Sequence, residues 1–326
     1  MHMRPDADKF DRKLASPDSI YKSLPYSTLI PVSGYDLEAT LDCGQAFRWD
    51  RLQNSRANAW SGVIGNRQVV ARKTESGLQI HTASNPGSWD WAVDYFSINS
   101  PMPAILESFP GDAAMRAALD FCPGLRVLSQ DPWETLATFI LSSNKQIVQI
   151  RQMVALLSQS LGQLIEGPGN LRAFPGPEVL AASSEAGLRQ LKLGYRAPYL
   201  LATSRLVAEG KLDLNHVKAA DLESARRMLM TCPGVGHKIA DCALLFGFGF
   251  SRAFPVDVWV DRILREIYFS GRHTPPSRLQ SFIQNYFGPH GGIAQQYLFH
   301  WVRIGRPNLA AYRVLFRQRS PSRIRS

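Results

Sequence analysis

Two rhythms of apolar and polar positions divide the chain. Between residues 27 and 84 the apolar positions come in short runs broken by turn residues: AFRWD, WSGVIG, RQVVARK and SGLQIHT. Runs of this length, with Asn66 and the Ser76–Gly77 pair as punctuation, predict strands joined by hairpins and hence a small antiparallel sheet. After about residue 86 the apolar spacing changes to three and four, as on one face of a helix. GSWDWAVDYF and AAMRAALDFC fit amphipathic helices. QDPWETLATFILSSNKQ carries a marked helix start: Asp131 can cap, Pro132 takes the first helical position, and Glu134 completes a capping-box pattern. Further helices are predicted in QIVQIRQMVALLSQSL, PEVLAAS, EAGLRQLK, YRAPYLLATSRLVAEG, DLESARRMLMT, HKIADCALLFGF, DVWVDRILREIY, SRLQSFIQNYF and GGIAQQYLFHWVRI. The expected fold class is α+β, an N-terminal twisted antiparallel sheet lobe followed by an all-helical body. The expected divisions are a polar segment over 1–26, the sheet domain with its flanking helices over 27–128, the helical domain over 129–305 and a basic tail over 306–326.

Charge adds a partner. Lysine and arginine number 37 against 27 acids, a formal net charge of +10 in 326 residues. Such an excess points to a polyanion, nucleic acid first and an anionic membrane second. No apolar run is long enough to span a bilayer, and no basic amphipathic helix dominates. The expectation is a monomeric intracellular protein, nuclear in a eukaryote or in the cytoplasm and nucleoid of a bacterium. Cys43, Cys122, Cys232 and Cys242 are scattered with no C-x-x-C pair. They predict free thiols rather than a zinc site, a disulfide framework or an iron–sulfur cluster. From Arg303 to Ser326 there are arginines and no acids. That stretch reads either as an arm for DNA backbone or localisation, or as a solubilising tail.

The chemistry concentrates at TCPGVGHKIADC, residues 231–242. One amphipathic helix runs into CPGVG and a second starts at His237, a helix–hairpin–helix pattern. Gly234 and Gly236 let the turn's backbone N–H groups approach a phosphate, which the helix dipole also favours. Such contact carries no base information and suits sequence-independent DNA holding. The same residues also suit a plain turn between two helices. Lys238 sits in the first turn of the second helix, where the dipole and any desolvation favour its neutral, nucleophilic form. Cys242, four residues on, shares its face. Asp257, between Pro255 and the next amphipathic helix, reads both as an N-cap and as a carboxylate fixed near the lysine. An amine and a held carboxylate suit displacement at a sugar C1′.

With these motifs in order, the chain resembles the helix–hairpin–helix DNA glycosylases, in the eukaryotic-type 8-oxoguanine DNA glycosylase/AP lyase branch. The resemblance runs from about residue 25 to 305. It is carried by CGQAFRW (43–49), WSGV (60–63), QDPWE (130–134), SSNKQI (142–147), LGYRAPY (193–199), PGVGHKIADC (233–242), PVDV (255–258) and GIAQQYLF (292–299). It implies a bifunctional enzyme that flips 8-oxoguanine out of duplex DNA, removes it through a Lys238 Schiff base and cuts the strand by β-elimination. Asp257 would be the essential carboxylate. The Gly44 carbonyl would accept the N7–H of the oxidised base, Cys242 and Phe299 would sandwich it, and Gln295 would bond its Watson–Crick edge. Asn144, Tyr195 and Arg196 would fill the gap and read the orphaned cytosine, while Gly234, Gly236 and His237 would hold the backbone. No cofactor is required. The carbonyls of Met230, Cys232 and Val235 could hold a structural potassium, sodium or calcium ion.

Outside the resemblance, Gly44 reads as a turn glycine, Phe299 as core, Tyr195 and Arg196 as a helix start and Gln295 as a solvated helix residue. Two positions depart from the family pattern. Gln149 stands where an arginine five residues after the asparagine belongs to the cytosine-reading set, which predicts a looser opposite-base preference. Trp259 stands where a histidine meets a backbone phosphate. Alternative readings are a glycosylase for another oxidised base and a non-catalytic hairpin module that only binds DNA.

Overall fold

In the computed structural model, residues 23–52, 58–272 and 274–313 are described. The segment 1–22 and the end of the basic tail, 314–326, lie outside them.

Five strands form one antiparallel sheet: β1 (Tyr26–Pro31), β2 (Trp49–Arg51), β3 (Ala59–Ile64), β4 (Arg67–Lys73) and β5 (Gly77–Thr82), in the order β1-β5-β4-β3-β2. Ile64 faces Arg67, so Gly65 and Asn66 make a two-residue hairpin, as the punctuation predicts. The sheet covers its own core of Trp49, Trp60, Val69, Ala71, Leu78 and Ile80 with the short helix α1 (Leu37–Asp42) and with α2 (Asp90–Tyr95).

The helical part continues with α3 (Met102–Glu107), α4 (Ala113–Phe121), α5 (Pro132–Leu141), α6 (Ile147–Leu161), α7 (Pro177–Ala181) and α8 (Glu185–Leu188). Then come α9 (Ala197–Ala208), α10 (Leu214–Ala219), α11 (Leu222–Met230), α12 (His237–Phe246), α13 (Val258–Ile263), α14 (Pro276–Tyr286) and α15 (Gly291–His300). After α13 and α15 the chain winds on in a wider π turn, over Leu264–Tyr268 and Trp301–Gly305. One core joins α5, α6, α9, α11 and α12 through Leu136, Ile140, Val154, Leu200, Leu229 and Leu244. A second joins α3 and α4 to α13–α15 through Met115, Leu125, Ile263, Phe287, Tyr297 and Leu298. The helices that follow the sheet thus share a core with the C-terminal helices.

Aspartates set most of the helix starts that matter here. Asp36, Asp112, Asp131, Asp221 and Asp257 each accept backbone N–H bonds from the first turn of the following helix. Each such cap is worth about 1 kcal/mol. The predicted box at α5 is only half formed. Asp131 caps Glu134 N at 2.7 Å, but the Glu134 carboxylate turns to Arg48 beside the sheet, 3.3 Å away. A buried carboxylate gains more from a guanidinium than from a backbone N–H already close to solvent. At the start of the tail, Leu309 is buried and Arg313 donates to the Glu266 carbonyl at 2.8 Å and to its carboxylate.

Candidate active site

Two helix N-termini meet at the site. At the first, α11 ends at Met230 and the chain turns through Thr231–Gly236 into α12. Gly234 has φ +77°, and a Cβ there would come within 2.5 Å of the Tyr199 ring. Glycine is demanded by both conformation and packing. Gly236 differs: its φ of −98° and ψ of −177° suit any residue, and nothing in the protein lies within 4 Å of a Cβ built on it. Val235 N donates to the Cys232 carbonyl at 3.1 Å and closes the turn. His237 is exposed as the first residue of α12.

Lys238 is half-buried one residue further on. Its Nζ donates to Ser142 Oγ at 3.1 Å and lies 5.4 Å from the centre of the Phe139 ring. Ser142 in turn donates to the Phe139 carbonyl at 2.7 Å, so the amine is held over the C-terminal end of α5. Cys242 is buried on the same face, and burial pushes its thiol up to about 12 against the pull of Lys238. It is therefore a neutral thiol at ordinary pH.

Asp257 caps α13. Its Oδ1 accepts from Trp259 N at 3.0 Å and Val260 N at 2.9 Å. Burial holds the carboxyl above the ordinary carboxylate range, opposed by the Val260 N–H bond and the Lys238 charge. The N-cap role read from the sequence is present, and both backbone bonds fall on Oδ1. Lys238, Cys242 and Asp257 form one electrostatic unit.

Gly44 and Phe299 come together from opposite ends of the chain. A Cβ on Gly44, whose φ is +82°, would lie 2.7 Å from Ile147 Cδ1 and 3.8 Å from Phe299 Cε1. Gly44 is thus more than a turn residue. Gln295 is not the solvated residue that its helix alone suggests. It is 3% exposed, and its Oε1 is buried with no partner among the described residues. A buried acceptor of this kind is ordinarily met by a protein donor, an ordered water or a ligand.

Asn144, Tyr195 and Arg196 also assemble. Asn144, at φ +52°, donates to Tyr195 Oη at 3.4 Å. Tyr195 is 45% exposed, with the Arg196 guanidinium 4.2 Å from its ring centre. Arg196 itself is 3% exposed and donates to the Ser143 carbonyl, so in this state it braces Tyr195 from behind. Gln149, at the departing position, folds back and accepts from Gln146 N at 3.3 Å at the start of α6. Trp259 is 36% exposed, beside the still more exposed Val258.

Sequence reasoning missed Ser142, Phe139 and Tyr199. Tyr199 packs on the hairpin glycine and edge-on against Tyr195, ring centres 6.3 Å apart. Nothing local marks it, since its sequence context reads as an ordinary helix start. A cleft of about 600 Å³ is lined by Lys238 together with His237, Arg226, Asp241, Arg252 and Phe254. It does not include Gly44, Cys242, Gln295 or Phe299. Among the described residues, no group of three or more His, Cys, Asp or Glu side chains could hold a metal ion, and no helix is long and apolar enough to cross a membrane.

Known proteins match this arrangement along the chain. The model of the 8-oxoguanine DNA glycosylase N-terminal domain matches residues 27–136, and that of the HhH-GPD superfamily base excision DNA repair proteins matches residues 137–289. A probable N-glycosylase/DNA lyase of Methanothermobacter thermautotrophicus is 33% identical over 217 residues, 60% of this chain and 69% of that protein. The N-glycosylase/DNA lyase OGG1 of Arabidopsis thaliana is 32% identical over 282 residues, 81% of this chain and 76% of that one. The Clostridium acetobutylicum 8-oxoguanine glycosylase/lyase, solved with double-stranded DNA containing cytosine opposite 8-oxoG, superposes with a TM-score of 0.79 at 28% identity. That match covers 86% of this chain and 99% of the other. The chain belongs to the helix–hairpin–helix superfamily of base excision DNA repair proteins, in the 8-oxoguanine DNA glycosylase family.

Proposed function

We propose that this protein excises 8-oxoguanine from duplex DNA and then cuts the strand at the resulting abasic site. The carrying observation is the meeting of Lys238, Asp257 and Cys242 at two helix starts, with the Lys238 amine held by Ser142. Stacked in the duplex, the damaged nucleotide cannot offer C1′ to that amine. It must be flipped out, at a cost of a few kcal/mol. Lys238 Nζ then bonds to C1′ while the N-glycosidic bond breaks and its electron pair leaves with the base. The Asp257 carboxylate stabilises the positive charge that develops on the sugar. Loss of the N–H proton and opening of the sugar ring give an imine. Removal of a C2′ proton then expels the 3′ phosphate by β-elimination. The electron pairs come from the amine and from C–H bonds, so the scheme calls for no redox cofactor.

The residues around Gly44 support this substrate. 8-Oxoguanine carries an N7–H where guanine has only an acceptor. The Gly44 carbonyl, Phe299 and the unfilled Gln295 acceptor fit a flat base with donor edges. Gly236, open where the protein itself needs no glycine, suits close approach of a phosphate. The net charge of +10 suits a salt-sensitive grip on backbone. Asn144 and Tyr195 suit the gap, and the folded-back Gln149 suits a loose demand on the opposite base. The hairpin carbonyls of Met230, Cys232 and Val235 are the proposed seat of a structural alkali or calcium ion. The Cys232 carbonyl takes one N–H and keeps a second lone pair.

Borohydride trapping on a duplex containing 8-oxoguanine tests the reading. Wild type is expected to give a covalent adduct and Lys238→Gln none. An adduct formed efficiently by Lys238→Gln removes Lys238 from the nucleophile's role.

A further inference from the structure

Several backbone carbonyls around Gly44, in the last turn of α1 and at Cys43 and Gln45, take side-chain donors. Thr40 O takes the Gln45 amide at 2.8 Å. Asp42 O takes the Arg303 guanidinium. Cys43 O takes Gln296 Nε2 at 3.0 Å, from a glutamine only 2% exposed. Gln45 O takes Gln130 Nε2 at 2.8 Å. Gln45 is itself fixed, donating to Arg126 O at 2.8 Å and accepting from Leu128 N at 2.8 Å. Between Cys43 and Gln45, the Gly44 carbonyl takes no donor from any described residue.

We infer that Gln296 and Arg303 are positioning residues that aim the Gly44 carbonyl and so set the discrimination for 8-oxoguanine. This inference rests on the proposed function. Its physical basis is preorganisation: an acceptor discriminates by a donor only if it cannot rotate away from the wrong partner. Gly44 has φ +82° and no side chain, so its own peptide is soft. The bonds on either side supply the missing stiffness. Both helpers come from the α15 segment that also carries Gln295 and Phe299. Arg303 adds a second link, with its guanidinium 5.8 Å from the centre of the Phe299 ring. The carbonyl and the stacking ring are thereby locked to each other. Gln296 directly follows Gln295, so successive side chains of one helix serve the base and the backbone opposite it.

The test compares two reactions of the same protein. Release of 8-oxoguanine needs the aimed carbonyl, whereas cleavage of a preformed abasic site involves no base. In Gln296→Met and Arg303→Met, the ratio of 8-oxoguanine release to abasic cleavage should fall roughly tenfold, the worth of one hydrogen bond to a buried group. Arg303→Lys keeps a charged donor and should restore most of the ratio. Abasic cleavage also reports that each variant is folded. If either methionine variant cleaves abasic DNA and holds the wild-type ratio within about twofold, the inference fails. Wild type that cleaves abasic DNA but releases no 8-oxoguanine would instead break the functional reading beneath it.

Discussion

Two regions flank the site, and their backbones are built differently. Lys238 and Asp257 stand at regular helix starts, one opened by the hairpin at Gly236 and the other by the capping carboxylate itself. Asn144, Tyr195 and Arg196 sit instead on irregular chain. Asn144, Lys192 and Gly194 all lie at positive φ, and the trio is held by mutual contacts and by the Ser143 carbonyl. A helix start places its groups by local rules and resists change as a unit. A trio on irregular chain depends on a few weak contacts and can vary. The two family departures follow that difference only in part: Gln149 starts the helix that follows the Asn144 loop, but Trp259 sits within the Asp257 cap.

The largest effect should come from Lys238 and Asp257, the proposed catalytic pair. Lys238→Gln is expected to lower 8-oxoguanine release by about 10⁴-fold or more, as loss of a nucleophile does, measured in single-turnover assays. Asp257→Asn separates the two roles of that residue. Asparagine caps as well as aspartate, so the melting temperature should hardly move, while the rate falls by roughly 10²- to 10⁴-fold. If Asp257→Asn instead kept its rate, the carboxylate would lose its part in the chemistry and the cap would be the residue's main contribution.

The pH profile gives a further check. Burial raises the folded Asp257 pKa above its ordinary 3.8, and the carboxylate must be ionised to stabilise the sugar cation. The acid limb of kcat/KM should therefore lie above that of an exposed aspartate. For stability the sign is opposite. The group's contribution is present below its unfolded pKa and lost as pH rises through the folded one. Urea titrations of wild type and Asp257→Asn should diverge in that direction across the acid range.

The irregular region should yield smaller effects. Tyr195→Ala is expected to weaken binding to an 8-oxoguanine duplex by about tenfold, near the lower part of the range for losing one stacking ring. Gln149→Arg should raise the preference for cytosine opposite the lesion by roughly tenfold, the worth of one bidentate base contact. An unchanged ranking across the four opposite bases would take that role from position 149.

The smallest effect on DNA binding separates the two hairpin glycines. Gly236→Ser supplies a better cap and meets no protein atom, so stability should hold while DNA affinity drops a few-fold. Gly234→Ala meets both a left-handed φ and the Tyr199 ring, and should cost about 1–3 kcal/mol of stability. Equal DNA affinity for wild type and Gly236→Ser would argue against a phosphate at that turn.

Much of this molecule was set by local sequence. The strands from WSGVIG to SGLQIHT, the helices that carry the site, the Asp131 and Asp257 caps and the Gly234 turn follow from spacing and residue chemistry within a few positions. Four six-residue elements escaped: β1, α1, α3 and α10. One and a half turns of helix show little period, and no cap or turn signal of the kind that marks the equally short α13 was read beside them. Only the folded chain decided the rest, because the contacts join distant positions. Lys238 meets Ser142 across 96 positions, Gln296 meets Cys43 across 253, and Glu134 leaves its own cap for Arg48 across 86. A side chain's type and spacing determine what it can bond nearby. Which distant carbonyl, ring or carboxylate it finally reaches depends on how three cores pack the sheet and the helices together.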